Sequence, residues 1–317
     1  MNRDGKGVFE EENRKPTLGF FFKLLFRKFS SLFRLNLMMI FQLIPVVAVL
    51  IVYFNGTKTQ TAMDITFAPL YGIGKSLPSS SVAAMLDPAS MQMDLPVFSP
   101  IITTLMICLV VLLAITYGWQ NAGATYVLRG LFRGDPVFVW SDYFYAIKKN
   151  FKQAFFMGLL DFAITVVLAI DFIYFYQRTG IDFFTDLMYF GIFALILIYI
   201  TMRFYIYHLM ITFDLSIFKI LKNALIFTAL GIKRNVLAFI GLVIVVGLHL
   251  FLIILTIPMG FSIALVLPLF YLMALCGFMS TYAAYPVIDK YMIEPWKSTD
   301  SQNDTEVEEC DNETETE

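Results

Sequence analysis

Residues 236–288 contain no Asp, Glu, Lys or Arg, and their one histidine is His249. At a rise of about 1.5 Å per residue, such a run makes ~80 Å of helix, more than twice the ~30 Å hydrocarbon thickness of a bilayer. It therefore predicts two membrane crossings, at about 236–257 and 263–288, turning at Pro258-Met259-Gly260.

The rest of the chain agrees with that start. Its 317 residues are 58% hydrophobic, 16% aromatic and only 15% charged, with a mean hydropathy of +0.72, which no single soluble core could bury. The fold class expected is an all-α integral membrane protein with six transmembrane helices and short interfacial amphipathic helices. A first span at about 35–54 contains Asn36, Gln42 and Pro45, whose polar and helix-breaking groups need neighbouring helices or water. The second begins at 101–117 and continues through Gly118, Gln120, Asn121, Gly123 and Thr125 to Arg129, a small and polar face suited either to close helix packing or to lining a cavity. The third covers about 154–176, a short turn holds 177–182, and the fourth covers about 187–207.

Placing the amino terminus in the cytoplasm puts all but three of the 23 Lys and Arg inside, the exceptions being Lys58, Lys75 and Arg178. The positive-inside rule then sets both termini in the cytoplasm. The plan divides into a flexible lead at 1–16, a six-helix membrane domain at 17–289 and a disordered acidic cytoplasmic tail at 290–317. Within the membrane domain, 55–100 is a long extracytoplasmic loop and 129–153 a cytoplasmic connector. The lead has no apolar core, so no cleaved signal peptide is expected. Residues 17–34 read as a basic amphipathic helix on the inner surface, with Phe20, Phe21, Leu24, Leu25 and Phe29 at the acyl boundary. A base and an asparagine recur before each odd-numbered span: Arg34 with Asn36, Lys149-Asn150 and Arg234-Asn235. Three diverged two-helix repeats would produce this, and so would a shared inner start with Asn capping each helix.

Few motifs for chemistry are present. Gly72-Ile73-Gly74-Lys75-Ser76 ends like a phosphate-binding loop, but Pro69 stands where the first glycine belongs. Cys108 and Cys276 lie in apolar runs and Cys310 in the tail, so neither a disulfide framework nor a metal site is spelled out. HExxH and GxSxG are absent, and the histidines are two, His208 and His249. The expectation is a protein without enzymatic activity, cofactor, bound metal or nucleic-acid partner. Ionisable groups inside spans remain functional candidates. By helical rise Asp161 and Arg203 reach similar depths from the connector side, which predicts an intramembrane ion pair. Asp171 falls near the outer interface. His249 is a candidate proton-linked group or a neutral histidine bonded to a neighbouring helix.

The connector is the most informative stretch. Ser141 is expected to cap a helix with Tyr143, Phe144, Ile147 and Phe151 on its apolar face, opposite Lys148, Lys149 and Lys152, lying flat on the inner leaflet. Its residues 135–144 (DPVFVWSDYF) and 148–153 (KKNFKQ) resemble the signature of the YesL-like family of bacterial membrane proteins, a domain without an assigned biochemical function. Residues 124–129 (ATYVLR), Phe29, Leu35-Asn36-Leu37 and Pro45 are similar to it too, and the resemblance spans roughly 19–289. It implies a bacterial cytoplasmic membrane and partners among carbohydrate ABC transporter components. The corresponding function is an accessory or assembly partner, with Trp140, Tyr143, Phe144, Lys148 and Lys149 as the docking candidates. The alternative is a small-solute transporter in its own right.

The topology is directly testable. Alkaline phosphatase fused within 55–100 should be active, whereas fusions after Arg133 or Lys297 should be inactive. The opposite pattern would invert the plan.

Overall fold

A computed structural model describes residues 17–55, 100–256 and 267–295. The expectations for the lead, the 55–100 loop, the turn at Pro258-Met259-Gly260 and the tail beyond 295 fall outside the described residues. Those residues contain helices and no strand: α1 (Leu18–Arg27), α2 (Phe29–Asn55), α3 (Pro100–Arg133), α4 (Val139–Lys149), α5 (Phe151–Tyr176), α6 (Phe183–Thr212), α7 (Ile217–Leu230), α8 (Ile232–Thr256) and α9 (Pro268–Ile288). Five helices are long and apolar enough to cross a membrane: α3, α5, α6, α8 and the stretch Phe270–Ile293. The chain is a multi-pass membrane protein.

Several boundaries differ from the sequence expectation. The 17–34 segment is two pieces, because the chain bends at Lys28, and Phe29–Arg34 belongs to α2. Phe21 and Leu24 are buried against protein rather than lipid, with Phe278 and Tyr282 of α9 beside Phe21. At the other end α9 continues as a π-helical turn, Asp289–Ile293, whose Met292 and Ile293 pack on the core. Residues 290–295 are thus helical and belong with the membrane domain rather than the tail.

The order short helix, long helix, returning helix occurs three times, and each short helix meets its long one through a single residue: Lys28, Asn150 or Gly231. Their φ and ψ are −99° and 10°, −107° and 22°, and −90° and 12°, the sparsely populated region between helix and strand. Each joint closes the helix before it with its N–H (to Leu24, Ala146 and Phe227) and opens the next with its carbonyl (to Leu32, Ala154 and Asn235). The conserved element order and this shared joint geometry agree with the repeat. The asparagines do not cap as expected. Asn150 turns its Nδ2 back to the Ala146 carbonyl, Asn36 lies within α2 and accepts from the Ala274 N–H, and Asn235 lies within α8.

Residues 42–113 form one compact unit, and the remainder forms another. In the first, Ile101, Leu105, Ile107 and Val110 of α3 stand exposed, as lipid-facing positions of a span do. The second contains the core, in two clusters. One gathers α6 residues 204–207 and 209–211 with Met157, Ile220, Phe227 and Ile288. The other gathers Leu24, Leu35, Val127, Leu131, Tyr143 and Phe278. Both lie toward the short-helix ends of the long helices.

Glycines set how closely α3 and α5 approach. A Cβ on Gly118 would collide with the Ala154 carbonyl and the Gly158 Cα, and one on Gly158 with the Gly118 backbone. Just beside this crossing, Trp119 donates its Nε1–H to the Phe151 carbonyl at 2.9 Å and stacks on the Phe151 ring. The small face of α3 is therefore packing surface where the structure describes it. Gly158→Val should cost about 3 kcal/mol or more, since backbone must move to admit it. Gly191→Val and Gly247→Val, with open space around them, should melt like the parent in detergent.

Candidate functional site

Polar side chains inside the membrane need partners, and α6 supplies most of them. Tyr199, Arg203 and Tyr207 follow at intervals of four, so they share one face of that helix. Facing them on α5 is Asp161, fully buried. Its carboxylate accepts from the Tyr199 hydroxyl at 2.6 Å, from the Tyr207 hydroxyl at 2.8 Å, and from Arg203 Nε at 3.1 Å. The Arg203 guanidinium also donates to the hydroxyl of Tyr117 on α3. The expected pair of Asp161 and Arg203 is thus present, inside a cage of three tyrosines from two helices, α3 and α6.

The sequence reasoning named the two charges and missed the tyrosines. The i, i+4, i+8 spacing of Tyr199, Arg203 and Tyr207 was legible, and Tyr117 was not, because only the Gly118–Gly158 contact brings it near. Both carboxylate oxygens are hydrogen-bonded, with three donors in place. Arg203 is less enclosed, with 31% of its side chain exposed.

The same helix end reaches further neighbours. The Tyr205 hydroxyl donates to Asn235 Oδ1 at 2.7 Å, and Asn235 Nδ2 donates to the Thr228 carbonyl. His208 Nε2 lies 3.1 Å from Thr281 Oγ1. The same Thr281 hydroxyl lies 2.8 Å from the Gly277 carbonyl, which ties His208 to the backbone of α9 through one side chain. Arg129 donates to Thr212 Oγ1 at 2.9 Å.

His249 stands apart from this network. Its Nδ1 is 3.0 Å from the Tyr271 hydroxyl, a contact with the neighbouring helix α9. Asp171 is half-buried. Among the described residues no three His, Cys, Asp or Glu side chains come together.

The connector helix α4 forms the other candidate site. Gly134, with φ of 82°, ends α3, and the Asp135 N–H returns to the Gly130 carbonyl, the 6→1 bond of a Schellman turn. Ser141 does not cap α4. The helix begins at Val139, and the Asp142 carboxylate reaches back to the Phe138 N–H at 2.8 Å, which also sets a negative charge near the positive helix end. Tyr143 is buried, its ring lying where a Cβ on Gly123 would have to be. Burial drives its hydroxyl well above the ordinary tyrosine range, so it stays neutral. Tyr143, expected on the surface with Phe144, is therefore the residue that pins α4 down. Trp140, Phe144, Lys148 and Lys149 do face outward, with Trp140 67% exposed. Trp140, Ser141, Phe144, Tyr145 and Lys148 line an open depression of about 430 Å³.

Comparison with protein-family models, curated proteins and solved structures finds no match to this chain.

The cage makes a signed prediction. Arg203→Leu leaves a buried carboxylate without its countercharge and should cost ~3–5 kcal/mol. The double change Arg203→Leu with Asp161→Leu should recover part of that loss in thermal melts. Tyr207→Phe should cost about 1–3 kcal/mol for the missing donor. Equal melting of the single and double variants would refute the coupling.

Proposed function

We propose that this chain is a non-enzymatic protein of a bacterial cytoplasmic membrane, with six spans and both termini inside. On this reading it acts as an accessory or assembly partner of a carbohydrate uptake complex. The observation that supports it most is the state of α4. This helix is fixed to the membrane domain through Tyr143, yet it presents Trp140, Phe144, Tyr145 and Lys148 outward around an open depression. Exposed aromatic side chains on a fixed support are common anchors of a protein interface. Lys148, Lys149, Asn150 and Lys152 stand between this aromatic patch and the apolar run of α5, with the exposed Phe151 among them. The YesL-like resemblance of the connector supports the choice of partner class, a carbohydrate ABC transporter.

A second reading, small-solute transport, draws on Arg203, a cation within a span whose side chain is partly open. The hydrogen bonds that Asp161 accepts from α6 weigh toward a static pair.

Trp140→Ala with Phe144→Ala should abolish co-purification of uptake components in mild detergent and lower sugar-dependent growth. Membrane abundance should be unchanged, because neither side chain is buried. His249→Ala should retain the partner. Retention of the partner by the double variant would refute the docking role, and solute movement by the purified protein alone in liposomes would favour transport.

A further inference from the structure

The short helix α7 has one buried stripe, Ile220, Ala224 and Phe227, set on the core. The face opposite is unusual for a helix outside a span. Phe218 is 76% exposed, and Leu225, Ile226 and Leu230 are exposed with it. The charged side chains on this face are Lys219 and Lys222, and Lys233 follows just past the joint. No acid lies within α7, the nearest upstream being Asp214 in the preceding loop.

What covers this face follows from its continuity with α8. Only Gly231 intervenes before α8, one of the five helices able to cross a membrane. Ile232, Val236, Leu237 and Ile240 of α8 are exposed in turn. The apolar surface thus passes from the span onto the short helix with Lys233 and Arg234 beside it. Water could cover one part and lipid the other only if the boundary fell inside this unbroken apolar surface, which would leave Phe218, Leu225 and Ile226 wet at a large cost. Acyl chains reaching along both satisfy every side chain, and the three lysines then stand at headgroup depth, where their stems can extend toward phosphate.

We propose that α7 is an interfacial anchor that holds anionic phospholipid, its apolar face in the acyl boundary and Lys219, Lys222 and Lys233 on the headgroups. The inference is independent of the docking role of α4. It rests on the α7 face, its lysines and the exposed apolar start of α8, none of which belongs to α4.

Full-length protein in detergent, titrated with phosphatidylglycerol or phosphatidylcholine and read by native mass spectrometry, tests the charge part. The parent should prefer phosphatidylglycerol by about fivefold for each base engaged, a preference that salt weakens. Lys219→Gln with Lys222→Gln and Lys233→Gln should lose most of it and still bind phosphatidylcholine. Lys148→Gln with Lys149→Gln should keep it. Depth is tested separately by a nitroxide at Leu225→Cys in a cysteine-free background, reconstituted in bilayers. Oxygen should relax the label more than a water-soluble nickel chelate does. Equal affinity for the two lipids, an unchanged preference in the triple variant, or a label open to the chelate would each overturn the proposal.

Discussion

A carboxylate buried among membrane helices must be neutralised and hydrogen-bonded, or its desolvation would cost more than the local packing returns. Asp161 meets that requirement through donors that sit on another helix, two tyrosines and an arginine of α6. The arginine in turn is held by Tyr117 of α3. The register of α6 against α5 is thereby fixed, since a shift of one residue would move Tyr199, Arg203 and Tyr207 away together. Apolar contacts alone specify register weakly between membrane helices, because lipid tails are as apolar as the side chains they replace.

The Gly118–Gly158 crossing serves the same junction by steric means. It lets the backbones of α3 and α5 touch, and so brings Tyr117, the neighbour of Gly118, to the site. Beyond the cage, α6 spends its other polar groups on other helices: Tyr205 on α8, His208 on α9 and Thr212 on α3. This concentration explains why buried side chains cluster at the short-helix ends of the long helices. The remaining lengths expose leucines, isoleucines and valines, whose satisfaction comes from lipid.

The short helices extend that logic to the surface. All three hang on their long helices by one residue in the same conformation, and all three press a narrow stripe onto the core. What they show outward differs. The α4 face is mostly aromatic, with Trp140, Phe144 and Tyr145, while the α7 face is mostly aliphatic, with Leu225, Ile226 and Leu230 beside Phe218. One architecture therefore supports two kinds of surface, and the difference lies in which apolar side chains the short helix turns outward.

Membrane class and the approximate positions of the five described spans were legible because composition and run length depend only on the chain's own order. The 177–182 turn was legible for the same reason. The Asp161–Arg203 pair was also within reach, because depth along a helix is a matter of counting residues. The tyrosine cage, the burial of Tyr143 and the bend at Lys28 were decided by tertiary structure. Each depends on which faces of different helices meet, and helical periodicity gives a residue's face without naming the helix opposite. Gly123 and Gly118 show the reason most plainly: in sequence they are small residues on one helix, and only packing determines that one receives a tyrosine ring and the other a glycine backbone.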